Sequence, residues 1–331
     1  MASFLIFRTD RIGDFIFSRI LTESIRRDNP KHKIDFVCSS YNSNYVKHFR
    51  DINKIYVLDK YNIRLMIKNL FNINKQNYDN LIILDGKRRS VFFSLLLKSK
   101  FKIAVLKDFR PKMILSLFFD HYFINSEINS QFENFGSVIN YLDLKVPKKI
   151  NYFNNYKLKN INFGKLPKKF TLLHLDEKWF EGHYYNDFKY MNLNEKNFSF
   201  LVSTIRKKFK KNIIITSGKM NISQFNKIID NFFLKKNNNL FISKKYKTKL
   251  IYIDKTNFRD LESIVYKSSE VICCEGAISH VSNVFQKKTV ALVNYQGVNT
   301  GIFWTKHMPK IKLIFRDDVK KVCSNLIKLK I

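Results

Sequence analysis

Cysteine is nearly absent from this chain. Its four residues, Cys38, Cys273, Cys274 and Cys323, form no CxxC pair, and the adjacent two lie inside an apolar run. Such spacing supports neither a zinc ribbon nor a disulfide framework, so a reduced, cytoplasmic setting is expected. Long apolar runs are missing too: MILSLFF and VFFSLLL fall far short of the ~20 residues that a bilayer-spanning helix needs. A strand-like run begins almost at the first residue and leaves no room for a secretory signal. There is no short-period repeat, zinc-finger spacing, aromatic RNA-recognition motif or helix-turn-helix arrangement. His174 and His183, with Asp176 nearby, lack the spacing of a helical zinc pair, so no metal site is expected.

Acidic residues are also few, 27 against 60 lysines and arginines, for a formal charge of +33. That balance implies anionic partners: nucleic acid, phospholipid headgroups or a phosphorylated substrate. The bias toward Lys, Asn, Ile and Phe, as in FLKKNNNLFISKKYKTK, also arises from an AT-rich genome, so part of the excess is compositional. Aromatic residues sit mostly within apolar runs, where core packing is the default over base stacking. A chain of 331 residues with a 45% hydrophobic share is long enough for two cores.

What is present is an alternation. Short runs rich in Ile, Val and Phe (SFLIF, KIDFVCS, KIYVL, LIILD, FKIAVL and HYFIN) alternate with helical periodicity in the first half. FTLLHL, NIIITS, KLIYI, EVICC, KTVALV and IKLIF do so in the second. Near-continuous apolar strands separated by helices read as parallel strands buried on both faces. The predicted architecture is α/β: two doubly wound, Rossmann-like domains facing a central cleft, with a C-terminal amphipathic helix. The expected boundaries are 1–155, a polar linker at 156–168 with Gly164 and Pro167, a second domain at 169–315, and a packing helix at 316–331. In that helix Val319, Val322, Cys323, Leu326 and Ile327 recur at helical spacing, with Asp317 or Asp318 as N-cap.

Two strand-to-helix turns carry most of the chemistry. The first, FRTDRIGDFIFSRI, places Arg8, Arg11, Gly13 and Asp14 where an open parallel sheet binds ligands, beyond a strand's carboxyl end. Phe15, Phe17, Ile20, Leu21 and Ile25 predict a helix with one apolar face. Gly13 lets backbone approach a ligand, and the helix start favours anions. Asp14 reads either as an N-cap or as a general base held by arginines.

The second turn follows EVICC: Glu275, Gly276 and Ala277, then a helix with His280 in its first turn. Small residues with free amides at a helix start suit a diphosphate. His280 could donate to a phosphate oxygen or simply lie at the surface, and Glu275 could cap the helix or hold a ligand hydroxyl. Lys87, Arg88 and Arg89 after LIILD read either as a solvated charge run or as a grip on phosphate or sugar-acid groups.

Together these segments resemble a known family. RTDRIGDFIFSRIL is similar to the N-terminal signature of the bacterial heptosyltransferases, glycosyltransferase family nine, and EGAISHVSNVFQKKTVALV to their C-terminal one. YDNLIILDGKRRSVFFSLLL and FENFGSVINYLDLKVP resemble intermediate features in the same order, so the likeness spans nearly the whole chain. It implies a GT-B fold with acceptor on the first domain and nucleotide sugar on the second, and inverting transfer without a metal or bound cofactor. By motif match Asp14 is then the catalytic base. Lys178 in LHLDEKWF, Ser217, Gly218, Glu275, Gly276, Ala277 and His280 meet the donor, expected to be ADP-linked. Arg8, Arg11, Gly13, Lys87, Arg88 and Arg89 meet the acceptor.

The implied partners are a nucleotide sugar and an anionic glycolipid, lipopolysaccharide core or a similar surface glycan. Peripheral contact with the inner face of the cytoplasmic membrane is implied, and no specific nucleic acid. Two departures touch the donor pocket: Glu275-Gly276-Ala277 replaces the usual Asp-Ser/Thr-Gly, and Asp176-Glu177-Lys178-Trp179 replaces a Pro-Gly turn. The alternatives are a basic polyanion-binding protein, or a nucleotide-sugar epimerase or hydrolase of the same fold.

Overall fold

The computed structural model describes residues 1–59, 61–106, 117–125, 129–150, 156–161, 166–180, 191, 193–218, 222–237, 239–294 and 298–330. Its contacts divide the chain into two compact units, Met1–Lys157 and Leu158–Ile331. Within the expected linker, residues 162–165, which include Gly164, lie outside the described residues, as does His183.

The first unit runs β1 (Ser3–Arg8), α1 (Ile12–Asp28), β2 (Lys33–Cys38), α2 (Ser43–Val46), β3 (Lys54–Val57), α3 (Ile63–Asn74) and β4 (Tyr78–Ile83). It continues through α4 (Arg88–Leu95), β5 (Ser99–Leu106), β6 (His121–Ile124) and α5 (Gln131–Tyr141). Its six strands are all parallel, in the order β3-β2-β1-β4-β5-β6. Helices cover both sheet faces. Phe15 of α1 meets the ring of Phe36 edge-on at 5.5 Å, while Met66 and Leu70 of α3 and Val91 and Leu95 of α4 pack over Leu5, Phe7, Val37 and Leu81 on the other side.

α1 differs from its expected form. It is buried on nearly every side because α5 covers its second face, with Phe17 and Phe135 5.3 Å apart. Its inward hydroxyls are satisfied within the helix. Ser18, Thr22 and Ser24 donate to the carbonyls of Phe15, Arg19 and Ile20, and buried Arg19 pairs with Asp51 at 2.7 Å.

The second unit runs β7 (Phe170–Leu175), a 3-10 turn (Glu177–Trp179), α6 (Glu195–Phe209), β8 (Asn212–Ser217), α7 (Ser223–Phe232), β9 (Phe233–Lys235), β10 (Leu240–Ser243) and β11 (Lys247–Ile253). Then come α8 (Phe258–Lys267), β12 (Glu270–Cys274), α9 (Ala277–Val284), β13 (Lys288–Val293), α10 (Val298–Thr305), β14 (Ile311–Phe315) and α11 (Val319–Lys328). The strand order is β14-β13-β12-β7-β8-β11-β10-β9. β9 and β10 pair antiparallel beyond β11, and their lysine- and asparagine-rich sequence gave no strand signal. The abundant asparagines also serve as caps: Asn62, Asn194 and Asn257 each accept a first-turn amide.

α11 packs on α6 within this unit. Asp318 is its N-cap, accepting from the Lys320 amide at 2.8 Å. Val319, Val322, Cys323 and Leu326 are buried, whereas Ile327, expected on the same face, is exposed, its carbonyl taking a hydrogen bond from Lys208 Nζ at 2.7 Å.

Candidate functional site

In each sheet the chain starts at a central strand, builds outward on one side, then returns to the other. The crevice at that reversal, beyond the carboxyl ends of the strands, is where open α/β sheets bind ligands. In the first unit it lies between β1 and β4, and in the second between β7 and β12. Most of the sequence-predicted residues fall at these two places, and Ser217 and Gly218 follow the neighbouring strand β8.

At the first, Arg8 is the anchor. It is 2% exposed, and its Nη1 donates to the Leu84 carbonyl at 2.7 Å while its Nε donates to the Asp14 carbonyl at 3.0 Å. Its Nη2 stands 3.6 Å from Asp14 Oδ1, and its Nη1 3.6 Å from Asp10 Oδ2. Arg8, expected among the acceptor contacts, spends two donors on these carbonyls, while its buried Nη2 makes no hydrogen bond among the described residues. Asp14 is not the N-cap. α1 begins one residue after Arg11, and Asp14 sits in its first turn with Oδ2 accepting from the Arg11 amide at 3.2 Å. The carboxylate is thus tethered on both sides yet partly open to solvent, and the Arg11 side chain is exposed.

Asp85 closes the other wall. It accepts from the Thr9 amide, the Thr9 hydroxyl, the Ser90 hydroxyl and the Lys87 amide, and Lys87 Nζ donates to the Thr9 carbonyl at 3.2 Å. Lys87 therefore joins the Asp14 turn. Arg88 is exposed and Arg89 half-buried on the first turn of α4.

Sequence reasoning assigned no role to Asp10. Burial pushes its carboxyl up to about 6; Arg8 opposes that shift, and Asp14 and Asp85 add to it. Asp85, which adds to the shift, comes from the segment after β4, which no local motif reveals.

At the second reversal, Trp179 and Phe180 sink into the core of the unit and fix the turn after β7. Asp176 caps that turn, Oδ1 accepting from the Lys178 amide. Lys178 then reaches across to β12, where its Nζ donates to the Glu275 carbonyl and lies 3.5 Å from Asp176 Oδ2. Burial lowers the Lys178 ammonium, but the charges of Asp176 and Glu275 outweigh it and hold the group above its ordinary value. Gly276 has φ +155, a conformation side chains rarely adopt, and a Cβ there would stand 3.0 Å from Lys178 Nζ. Ala277 and Ile278 open α9, so their amides have no carbonyl one turn before them. His280 is buried in the same turn, its Nε2 3.9 Å from Glu275 Oε1.

Ser217 and Gly218 lie on the far side of β7. The Gly218 amide donates to the Leu175 carbonyl, and a Cβ at Gly218 would touch Asp176. From there a pocket of about 720 Å³ opens, lined by Ser217, Gly218, Phe225, Tyr252, Asp254 and Asn257 among others. The Tyr252 hydroxyl donates to Asp254 Oδ1 at 2.8 Å and stands 3.0 Å from Ser217 Oγ. Arg316, at the end of β14, also escaped sequence reasoning. It is buried, which lowers its guanidinium, with Cys274 and Asp176 close enough to oppose that shift. The whole edge runs from a half-open pocket past a cation to the head of a helix. Among the described residues no group of three or more His, Cys, Asp or Glu could hold a metal ion.

No protein-family model matches the chain, and no curated protein matches it by sequence. Solved structures do match in fold. The E. coli heptosyltransferase WaaC with ADP superposes with a TM-score of 0.69 at 11% identity, over 98% of either chain. A family nine glycosyl transferase from Veillonella parvula gives 0.68 at 10% identity, over 100% of this chain and 90% of that one. The UDP-GlcNAc 2-epimerase of Methanocaldococcus jannaschii gives 0.53 at 10% identity, over 99% and 93%. The fold is the GT-B fold of these heptosyltransferases, two parallel-sheet domains in one chain.

Proposed function

We propose that this chain is an inverting, metal-independent glycosyltransferase that moves a heptose or related sugar from an ADP-linked donor to lipopolysaccharide core or a similar surface glycan. The observation that carries the reading is the meeting of Lys178 with the Glu275–Gly276 turn at the head of α9. A held ammonium, the unpaired amides of Ala277 and Ile278 and the positive end of a helix surround a point that a side chain at 276 would fill. That is the environment a departing diphosphate requires.

In this mechanism the second unit binds the donor. The nucleoside enters the pocket beside Ser217 and Asp254, and the diphosphate lies along Lys178 to Gly276, Ala277 and His280. The first unit binds the acceptor, with Arg11, Gly13, Lys87, Arg88 and Arg89 around its anionic groups. The Asp14 carboxylate takes the proton of an acceptor hydroxyl as that oxygen bonds to the anomeric carbon, from the face opposite the leaving group. The bond from that carbon to the diphosphate oxygen breaks, and nucleoside diphosphate departs with its charge met by Lys178 and the amides. Arg8 positions Asp14. The ADP assignment draws on the E. coli structure solved with ADP.

A thermal-shift screen of ADP, UDP and GDP tests the donor half, because a ligand that binds only the native state raises its melting temperature with occupancy. A transfer assay with ADP-heptose and deacylated lipopolysaccharide core tests the whole. ADP stabilisation with glycosylated product supports the proposal. UDP preference with an altered or hydrolysed donor would instead identify an epimerase or hydrolase, the second reading that the epimerase likeness favours.

A further inference from the structure

The first unit carries an apolar surface that the proposed chemistry leaves unused. On α3, Ile63, Ile67 and Phe71 recur every fourth residue, and each is half or more exposed. Met66, Leu70 and Ile73 of the same helix face the sheet core, so the apolar arc continues past the part that the sheet covers. On α4 and at its C-cap, Phe92 and Leu96 are likewise more than half exposed, four residues apart. The two helices lie side by side over one sheet face. Asn74 at the end of α3 donates to the Leu96 carbonyl at 3.1 Å and accepts from the Lys98 amide at 2.8 Å.

The charge beside this surface is mostly positive, with Asp59 the acid just before α3. Residues 61–75 and 86–106 contain no Asp or Glu, while Arg64, Lys68, Lys75, Lys98 and Lys100 are exposed among them. Arg64 and Lys68 each follow a stripe residue, which sets them about 100° further round the helix, along the stripe's flank. Of the acids between these segments, Asp85 is buried and Asp79 is paired with Lys100 at 2.7 Å.

We propose that the outer face of α3 and α4 docks the first unit on an anionic lipid bilayer. Helices with an exposed apolar stripe flanked by basic residues settle in the plane of a membrane interface, apolar side chains among the acyl chains and cations at the headgroups. An apolar patch of this kind on a soluble surface marks a binding face, and the predominantly positive flank selects an anionic one. The proposal rests on the reading of a lipid-linked acceptor and gives that contact a location. It places the helix bearing Lys87, Arg88 and Arg89 at the lipid surface.

Flotation of the full chain with phosphatidylcholine vesicles, with and without phosphatidylglycerol, tests it. The expected result is binding that requires phosphatidylglycerol and falls at least about tenfold in Ile63→Ser/Ile67→Ser/Phe71→Ser and in Phe92→Ser/Leu96→Ser, with unchanged melting temperatures. Arg64→Gln/Lys68→Gln should weaken binding and reduce its salt dependence. Binding that the serine variants leave intact would overturn this location while keeping membrane contact. No binding to either vesicle would overturn membrane contact itself, and transfer to a deacylated acceptor would then show whether the enzymatic reading survives. Concentration-dependent self-association abolished by the serine variants, without lipid binding, would make the face a protein interface and overturn the proposal.

Discussion

Arg8 holds Asp14 at two points: its Nε donates to the Asp14 carbonyl at 3.0 Å, and its Nη2 stands 3.6 Å from the carboxylate. One buried cation thereby fixes both the backbone and the side-chain direction of the residue proposed to accept the proton. Asp14→Asn preserves shape and removes the base. Transfer should fall by roughly 10²–10⁴, with melting temperature and ADP binding near wild type. Initial rates beside thermal shifts check this, and near wild-type turnover on the true acceptor would remove Asp14 from the mechanism.

The donor site should fail differently. Lys178→Ala removes a charged donor aimed at the Glu275–Gly276 turn, worth about 1.5–3 kcal/mol where the partner is charged. ADP affinity measured by calorimetry should drop about tenfold to a hundredfold. Unchanged affinity would leave Lys178 a structural tie between β7 and β12.

Gly276→Ala tests the same turn from the backbone. At φ +155 the new residue is strained, and its Cβ meets Lys178 Nζ at 3.0 Å. A cost of about 1–3 kcal/mol is expected, read as a lower unfolding midpoint together with weaker ADP binding. A variant of full stability and full affinity would show that the turn tolerates bulk.

Asp10 and His174 should give the stability profile opposing slopes. The Asp10 carboxyl is raised from 3.8 to about 6, chiefly by burial, so between those values the native state holds more protons than the unfolded chain. Its contribution to stability therefore falls as pH rises from about 4 to 6, and the cost persists above. Asp10→Asn should flatten that slope and stabilise the protein at pH 7 by roughly 1–3 kcal/mol. Burial lowers the His174 imidazole, beside Thr216, from 6.5 to about 4. In that window the unfolded state binds more protons, so stability rises with pH, and His174→Gln should lose that rise. Denaturant midpoints from pH 4 to 7 for each variant separate the two, and a slope unchanged by Asp10→Asn would show that Asp10 is ionised throughout.

Much of the fold could be read from the chain because its central strands are buried on both faces. SFLIF, FTLLHL and EVICC are near-continuous apolar runs, a signal that needs no partner to interpret. β9 and β10 escaped because they lie at a sheet margin, where one side is wet and lysine or asparagine costs little. The full burial of α1 was invisible for a different reason: local periodicity cannot know that α5 will cover the second face. The sites divide similarly. Asp14, Gly276 and Lys178 stand in local turns that a sequence displays, whereas the bond from Lys178 to Glu275 joins residues 97 positions apart. Asp10 owes its shifted carboxyl in part to Asp85, in the turn after β4. Proximity of that kind belongs to topology, not to spacing.

The antiparallel tail of the eight-stranded sheet bears on solubility. A sheet that ended at β11 would present the outward backbone groups of a seven-residue strand to any second chain. β10 takes up that edge, and the margin passes to β9, three residues long and running into Lys235 and Lys236. So short and charged a border is a poor template for strand addition, and it guards an isoleucine-rich sheet against growing from one molecule into the next.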